Sequence, residues 1–339
     1  MKTEILSENH LSEATEIIRS GGLLGIPTET VYGLGADGLN PAAVRSIFRA
    51  KGRPQDNPLI LHIWSAGWLE RYCEDIPAAA YRLAERFWPG PLTMILRRKP
   101  VVPDVVAAGL DTVGMRCPAH PLCRRVIELA QTPIAAPSGN TSGRPSPTTA
   151  RHMLEDMEGK IPAILDGGPC AVGVESTILD LTVTPPRLLR PGGVTLEELR
   201  EVLGEVAVDS AVTRPMGEGE QPRAPGMKYR HYAPRAPVVV VTGEPESTAG
   251  YIQQHISTTP EDGVICFDEY ADRFPDRPLE RLGPAADKGE QARRVFDALR
   301  AMDGAGVRRI WTQCPEAGGI GLAVANRLNK AAGFHIVEV

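Results

Sequence analysis

Hydrophobic residues recur along this chain in short segments whose spacing alternates between that of a helix and that of a strand. In residues 11–20 the apolar side chains share one helical face, and the two glycines that follow are typical of a helix end. The sequence LLGIP then predicts a buried strand. A second helix is predicted from Asn40, its cap, and Pro41, its first residue, to just before Gly52.

The same alternation continues through the first two hundred residues. Helices are predicted at 78–87, 122–130 and 196–203, and a capping box of Thr195 and Glu198 opens the last of them. Strands are predicted at 58–63, 92–96, 112–116, 133–137, 161–165, 174–181 and 187–190. Strands and helices that alternate in this way predict an α/β fold.

The character of the sequence changes after about residue 205. The stretch DSAVTRPMGEGEQP is polar and interrupted by glycine and proline, which is typical of a linker. Alternation then returns, with strands predicted at 238–241, 263–267, 308–312 and 334–339 and helices at 246–256, 288–302 and 321–332. Because 339 residues are too many for one core, we predict a first domain over 1–205, a linker over 206–236 and a smaller α/β domain with a mainly parallel sheet over 237–339.

Composition and charge narrow the possible classes of protein. Hydrophobic residues make up 42% of the chain and charged residues 23%, as in ordinary globular proteins. The net charge of −5 argues against nucleic-acid binding by overall charge, although a local basic cleft is compatible with it. The six cysteines form no C-x-x-C pair, so no structural zinc site is predicted. Scattered thiols, without a signal peptide or an apolar run of about 20 residues, predict a cytoplasmic protein.

The sequence KGRPQDNP places two cations at the end of a predicted helix. Lys51 and Arg53 flank a glycine, and Pro54 and Pro58 restrict the backbone around them. Cations at a helix end also suit the helix dipole, so a solvated helix end is the alternative. Because the prolines restrict the backbone that carries the two side chains, we favour a polyphosphate-binding site. The compact ammonium group of Lys51 and the planar guanidinium of Arg53 would both bind phosphate oxygens.

Other polar residues follow predicted strands, where open α/β sheets bind their ligands. PTETVYGLGADG (27–38) follows the first buried strand, with an ordinary strand-to-helix turn as the alternative. APSGNTSGRPSPT (136–148) offers hydroxyls and backbone N–H groups for phosphate oxygens, and a serine-rich surface loop is the alternative. It lacks the P-loop pattern. GVESTILD (173–180) and LLRPGG (188–193) add hydroxyls and an arginine near strand ends.

Thr112 and Arg116 lie four residues apart on one predicted strand, so both side chains face the same side of the sheet. An arginine on a core strand needs an anionic partner, and a bound carboxylate, a phosphate or a structural aspartate would serve. No Ser-His-Asp, Cys-His or paired-acid arrangement stands out. The candidate site therefore consists of cations and hydroxyls, which suits adenylyl or phosphoryl transfer by positioning and charge neutralisation.

Eight blocks, in this order, resemble those of the threonylcarbamoyl-AMP synthase family in its two-domain form. They are PTETVYGLG, KGRP, NPLILHI, WPGPLT, GLDTVGMRCPAHP, APSGNTSGRPSPT, GVESTILD and LLRPGG. APGMKYRHYAP is similar to the linker of the longer form, and 237–339 to its C-terminal domain. The resemblance implies a YrdC-like twisted mixed-sheet α/β domain with a central cavity, followed by a smaller Rossmann-like α/β domain.

The resemblance also implies an activity. It is that of a nucleotidyltransferase that converts L-threonine, bicarbonate or CO2, and ATP into L-threonylcarbamoyladenylate and pyrophosphate. Mg2+ would arrive with ATP and take few protein ligands, so no protein metal site is implied. Threonylcarbamoyl transferase proteins would then modify the adenosine beside the anticodon of tRNAs that decode ANN codons, with a weak contact to tRNA as a further possibility and no membrane involved.

Site residues follow from the resemblance position by position. The residues expected to be catalytic, on the nucleotide phosphates, are Lys51, Arg53, Ser138 and Asn140. L-Threonine, with Arg116 on its carboxylate, would be held by Thr28, His62, Arg116, Ala136 and Ser176. ATP would also be bound by Thr112, Ser146, Arg190 and Tyr232. A mild departure is Gly139, which stands where the family often has alanine and should not disturb its neighbours.

The sequence RAPGMKYRHYAP, residues 223–234, contains prolines and a glycine that exclude a helix or a central strand. It nevertheless concentrates Arg223, Lys228, Tyr229, Arg230, His231 and Tyr232. We predict that this lid segment folds over the cavity of the first domain, with its cations on phosphates and Tyr232 on the nucleotide. A solvated tether is the alternative.

Two other functions compete with adenylate formation. An RNA-binding module is disfavoured by the negative net charge and the lack of a recognised RNA motif. A carbamoyl-transfer domain of a maturation enzyme would need zinc-finger and acylphosphatase-like segments, which this chain lacks. GGIGLAVANRLN (318–329) lacks the third glycine and the early position of a dinucleotide loop, so we do not assign it to a cofactor.

Overall fold

The computed structural model describes residues 2–215, 222–227, 231–256 and 261–339. Its helices are α1 (Leu11–Arg19), α2 (Pro41–Lys51), α3 (Leu69–Tyr72), α4 (Ala78–Phe87), α5 (Asp104–Ala107), α6 (Pro121–Ala130), α7 (Ala150–Met157), α8 (Leu196–Leu203), α9 (Pro245–His255), α10 (Lys288–Ala305) and α11 (Gly321–Ala331). Short 3-10 helices lie at Glu8–His10, Ala66–Trp68, Ser210–Val212 and Asp268–Arg273.

The strands belong to two separate sheets. Those of the first sheet are β1 (Glu4–Leu6), β2 (Leu24–Ile26), β3 (Gly33–Asp37), β4 (Ile60–His62), β5 (Cys73–Glu74), β6 (Leu92–Arg98), β7 (Thr112–Arg116), β8 (Ile134–Ala135), β9 (Ala163–Leu165), β10 (Thr177–Asp180), β11 (Arg187–Arg190) and β12 (Ala207–Val208). Those of the second are β13 (Val238–Thr242), β14 (Asp262–Phe267), β15 (Leu279–Gly283), β16 (Arg309–Gln313) and β17 (Ile336–Glu338).

Helix α2 shows how local sequence sets the limits of an element. The side chain of Asn40 accepts hydrogen bonds from the backbone N–H groups of Ala42 and Ala43, at 3.0 and 3.2 Å. Gly52 adopts the left-handed conformation, with φ at 62°, and ends the helix. Both predicted ends are confirmed. The consequence for the site is that Lys51 lies in the last turn, directly before a sharp change of chain direction.

The first sheet mixes parallel and antiparallel pairs. Its strand order is β1-β9-β2-β3-β8-β4-β7-β6-β10-β11-β12, with β5 paired to β6. β4 pairs with β7 in parallel, whereas β6 pairs with β7 in antiparallel fashion. Because β12 pairs with β11, the sheet continues just past the predicted linker boundary at residue 205. The expected twisted mixed-sheet α/β architecture is confirmed for this part of the chain.

Strand β3 was not predicted, because the sequence GLGAD reads as a turn. β3 pairs with β2 in antiparallel fashion, so the loop after β2 joins two strands and not a strand and a helix. A side chain at Gly35 would meet the Ile134 side chain at 2.9 Å, and one at Gly33 would meet that of Ala136 at 3.3 Å. The glycines therefore serve close packing against β8 and its extension, which strand propensity cannot reveal.

The second sheet has the order β15-β14-β16-β13-β17, and its described strands pair in parallel. This confirms the predicted parallel α/β arrangement after residue 237. We call this sheet with α9, α10 and α11 the second unit, and the earlier part of the chain the first unit. The two units share an apolar cluster, in which Val31 and Val174 of the first pack with Phe296 of the second.

All six cysteines are free and buried. Cys73, Cys117, Cys123 and Cys170 lie in the first unit, and Cys266 and Cys314 in the second. Burial raises the pKa of these thiols, for example to about 11 at Cys117 and about 12 at Cys314. The thiols therefore behave as small apolar side chains of the two cores.

Candidate functional site

A cavity opens where several strands of the first sheet end. It contains about 700 Å³ of space between protein atoms, including open solvent at its mouth. His62 and Arg116 lie side by side in its wall, because they are paired residues at the ends of the parallel strands β4 and β7. The predicted site residues found in this wall are Thr28, Lys51, Arg53, His62, Arg116, Ala136, Ser138, Asn140, Ser176, Arg190 and Tyr232.

Lys51 is buried at the inner end of the cavity and is not part of a solvated helix end. Its ammonium group donates hydrogen bonds to the carbonyl oxygens of Ser138, at 2.5 Å, and Asn140. The helix end thereby holds the loop that follows β8. Burial, together with the nearby Arg53, lowers the pKa of Lys51 well below its ordinary value. An anion in the cavity would reverse part of this shift by favouring the charged form.

Arg116 has an anionic protein partner, as its place on a core strand requires. Its guanidinium donates to a carboxylate oxygen of Glu29 at 2.6 Å, and the other oxygen of Glu29 accepts from the backbone N–H of Ala119 at 3.0 Å. The partner is thus a glutamate of the loop after β2, and not the structural aspartate considered from the sequence. Glu29 belongs to the PTET block, so the sequence offered the residue but not the pairing.

Several buried polar atoms in the cavity wall have no hydrogen-bond partner among the described residues. They include Nε of Arg116, Nε of Arg144, Nδ1 of His62 and Oδ1 of Asn140. Burial and the neighbouring Arg116 lower the pKa of His62 to about 3, so its imidazole is neutral near pH 7. Because buried polar atoms are nearly always paired, these atoms point to a polar ligand.

Hydroxyl groups and Arg190 form another part of the wall. The hydroxyls of Ser176 and Thr93 lie 2.8 Å apart. Arg190 donates from Nε to the carbonyl oxygen of Ser176 at 3.1 Å and from a terminal nitrogen to its hydroxyl at 3.2 Å. A side chain at Gly192 would collide with the backbone of Glu175 and Thr177, so only glycine permits this close approach of the two loops.

Thr112 and Ser146 are not brought into this cavity wall. Thr112 lies in a second cavity, with Asp111, Asp180 and Arg223 among its neighbours. Ser146 is fully buried and donates its hydroxyl proton to Glu175 at 2.5 Å. Their assignment to ATP stays a prediction. Glu175 itself lines the main cavity, and sequence reasoning did not single it out.

The described part of the lid segment lies against the cavity. Pro225, Gly226, His231 and Tyr232 line it. The backbone N–H of Ala233 donates to the carbonyl oxygen of Gly143 at 2.8 Å. The carbonyl of Pro225 accepts from Arg190 at 3.3 Å, and that of Gly226 accepts from Lys330. The predicted roles of Lys228, Tyr229 and Arg230 lie outside the described residues.

No group of three or more histidine, cysteine, aspartate or glutamate side chains is placed to hold a metal ion in the part of the chain that the structure describes. No helix of that part is both long and apolar enough to cross a membrane.

Comparison with known proteins gives consistent results along the chain. Residues 16–192 match the family model Sua5_yciO_yrdC, described as "Telomere recombination", and residues 194–333 match the model "Threonylcarbamoyl-AMP synthase, C-terminal domain". The chain is 49% identical to the threonylcarbamoyl-AMP synthase of Pyrococcus abyssi over 337 residues, which cover 99% of this chain and 98% of that protein. It is 43% identical to that of Bacillus subtilis, with 99% and 97% covered.

A solved structure agrees with these sequence matches. The crystal structure of P. abyssi Sua5 complexed with L-threonine superposes with a TM-score of 0.94 at 46% identity and covers 100% of both chains. The matches thus extend over both units and the stretch between them. The chain belongs to the threonylcarbamoyl-AMP synthase family.

Proposed function

We propose that this protein is a nucleotidyltransferase that makes L-threonylcarbamoyladenylate and pyrophosphate from L-threonine, bicarbonate or CO2, and ATP. The observation that carries the proposal is that the cations Lys51 and Arg53 share one cavity wall with unpaired polar atoms of Arg116, His62 and Asn140. Cations suit a triphosphate, and the guanidinium of Arg116 suits a carboxylate. The crystal structure of the P. abyssi relative in complex with L-threonine supports threonine as the substrate whose carboxylate Arg116 binds.

The chemistry has two steps. The amine of threonine attacks the carbon of CO2, an N–C bond forms while one C–O π bond opens, and the nitrogen loses a proton to solvent, which gives a carbamate. With bicarbonate, that proton leaves together with the hydroxyl group as water. A carbamate oxygen then attacks the α-phosphorus of ATP while the bond from that phosphorus to the bridging oxygen breaks and pyrophosphate departs. Because the carbamate is short-lived in water, a cavity that excludes water favours the second step.

Each group of wall residues receives a role in this proposal. Lys51 and Arg53, with the loop residues Ser138 and Asn140, hold the phosphates. Arg116 holds the threonine carboxylate, with the neutral imidazole of His62 beside it. The remaining threonine contacts are Thr28, Ala136 and Ser176, and the remaining ATP contacts in the wall are Arg190 and Tyr232. The roles of Thr112 and Ser146 toward ATP stay part of the proposal, although both residues lie outside this wall. Mg2+ arrives with ATP as part of the substrate.

The wider setting is part of the same proposal. The protein works in the cytoplasm, and its product passes to threonylcarbamoyl transferase proteins that modify tRNA next to the anticodon. A weak contact with tRNA would accompany that transfer.

Pyrophosphate release from ATP tests the proposed activity. With bicarbonate and one amino acid at a time, we expect release that depends on threonine, because only an amino acid bound in the cavity supplies the attacking amine. Serine, which lacks the methyl group, is the matched control and should support slower release. Release that proceeds equally with every amino acid, or without any, would contradict the proposal.

We further propose that 1–205 is the catalytic domain, 206–236 the linker with the lid segment, and 237–339 the C-terminal domain. The hydrogen bonds of Pro225 with Arg190 and of Ala233 with Gly143, two residues of the cavity wall, support a lid. ATP should then slow hydrogen exchange of the amides between 222 and 236 by tenfold or more. The amides of β14, outside the cavity, serve as the control. Equal exchange of 222–236 with and without ATP would leave this segment a tether.

A further inference from the structure

Glu175 is a buried carboxylate in a cavity proposed to receive a triphosphate. One of its oxygens accepts the hydroxyl proton of Ser146 at 2.5 Å, and the other accepts from Nε of Arg327 at 2.7 Å. A terminal nitrogen of Arg327 also donates to the backbone carbonyl of Glu175 at 3.4 Å. Arg327 lies on α11, so its guanidinium reaches the first unit from the second.

Arg327 is fully buried and is held on several sides. It donates to the side-chain oxygen of Asn326 at 2.9 Å, and Asn326 donates to the carbonyl oxygen of Val212 at 2.7 Å. The guanidinium carbon also lies 5.3 Å from the ring centre of Tyr232, which packs against Phe296 at 5.2 Å. One side chain of the second unit thus supports both the carboxylate of Glu175 and the ring of Tyr232 in the cavity wall.

The charge of Glu175 needs this partner. Within the described residues, Arg327 is the cation that is hydrogen-bonded to its carboxylate, whereas the donors of Arg190 are directed to Ser176 and Pro225. Although burial opposes ionisation, the positive charges of Arg327 and Arg190 hold the pKa of Glu175 below its ordinary value. The carboxylate is therefore ionised near pH 7, and the positive charge of Arg327 offsets its repulsion of phosphates that enter the same cavity.

The backbone around Glu175 also depends on the second unit. Gly173 has a φ of 81°, and a side chain there would collide with Ala292 and Arg293 of α10. The loop that carries Glu175 is therefore seated directly on α10, while α11 supplies the arginine. This close approach places the backbone of the loop next to the second unit, on the side from which Arg327 reaches Glu175.

We propose that Arg327 is a positioning residue of the nucleotide site, contributed by the second unit, which neutralises Glu175, holds that carboxylate on Ser146 and supports the ring of Tyr232. The inference deepens the proposed function and rests on it for the identity of the nucleotide. The second unit is thereby a part of the ATP site, although Arg327 itself does not line the cavity.

Opposite effects of two single variants test this inference. Arg327→Met should raise the KM for ATP at least tenfold, because Glu175 loses its cationic partner and the ring of Tyr232 loses its support. Glu175→Gln should lower the KM for ATP severalfold, because the negative charge is gone and the arginine remains. The KM for threonine should change less than threefold in both, since Arg116 and His62 are untouched.

Two further variants separate charge from architecture. Glu175→Gln/Arg327→Met contains no unpaired buried charge, so it should fold and bring the KM for ATP back to within about threefold of the wild-type value. Arg327→Lys keeps the charge and should retain most of the ATP affinity. Arg273→Met, which breaks the surface pair of Arg273 with Glu246, is the control for loss of an arginine in the second unit and should match the wild type.

Two outcomes would overturn the inference. One is an unchanged KM for ATP in Arg327→Met, and the other is a rise in Glu175→Gln as large as that in Arg327→Met, which would indicate a purely architectural role. ATP affinity measured by calorimetry without threonine gives the same comparison in the absence of turnover. The inference therefore remains testable even if the wild-type protein shows no threonine-dependent pyrophosphate release, which would contradict the proposed function alone.

Discussion

Replacing Lys51 by methionine is expected to lower threonine-dependent pyrophosphate release at least about a hundredfold. Loss of a cation that stabilises developing charge costs roughly 3 kcal/mol or more, which corresponds to about two orders of magnitude in rate. The variant also loses the hydrogen bonds from Lys51 to the carbonyl oxygens of Ser138 and Asn140, so the phosphate-binding loop loses a support. Steady-state pyrophosphate release measures the effect, and circular dichroism checks the fold.

A proton measurement separates the charge of Lys51 from its packing. Burial and Arg53 lower the pKa of Lys51 in the free protein, and the negative phosphates of ATP raise it again. The wild-type protein should therefore take up a proton on binding ATP at pH values where Lys51 of the free protein is neutral, so in a series of pH values its binding heat should there vary with the ionisation enthalpy of the buffer. Lys51→Met should lack this part of the variation.

The matched control is Arg49→Met, on the exposed face of the same helix turn. It should keep both the activity and the proton uptake. If Lys51→Met retained more than a tenth of the wild-type rate, or took up as many protons as the wild type, Lys51 would be a purely structural lysine.

Loss of the Arg116 guanidinium is expected to weaken threonine binding about tenfold to a hundredfold, because a charged hydrogen bond contributes roughly 1.5–3 kcal/mol. Arg116→Gln alone would leave Glu29 buried without its partner, which costs about 3–5 kcal/mol of stability. The informative variant is therefore Glu29→Gln/Arg116→Gln, which removes both charges. Its KM for threonine should rise while its KM for ATP changes less than threefold.

Two other variants complete this test. Glu29→Gln also loses stability, because Arg116 is left buried without its carboxylate, but it frees the guanidinium for the substrate and the folded protein should bind threonine at least as well as the wild type. Arg125→Gln alters an exposed arginine on α6 that pairs with Glu128 and should change neither constant. An unaltered KM for threonine in the double variant would show that the carboxylate is held elsewhere in the cavity.

Local signals in the sequence were sufficient for most elements. The cap at Asn40 and the glycine at residue 52 set both ends of α2, and the strand predicted at 112–116 has these bounds in the structure. Strand β3 was missed because glycine has a low strand propensity. The glycines of β3 allow close packing against residues about one hundred positions away in the sequence. Period and propensity carry no information about such contacts.

The site was predicted less completely than the fold, because neither the distance between residues along a strand nor contacts between residues far apart in sequence can be read from local patterns. Thr112 and Arg116 share a face of β7, but four residues of strand separate them by about 13 Å, so a common face does not ensure a common cavity. The pairing of Glu175 with Arg327 joins residues 152 positions apart. No spacing rule connects two such residues, and only the packing of α11 against the first unit brings them together.

The burial of all six thiols offers a way to observe this protein as it opens. A thiol-reactive dye should not label the native protein. Each modified cysteine therefore reports local or global unfolding that exposes its side chain. Four of these cysteines lie in the first unit and two in the second. Peptide mapping of the modified cysteines over time would therefore give the unfolding rate of each unit separately, without an engineered label.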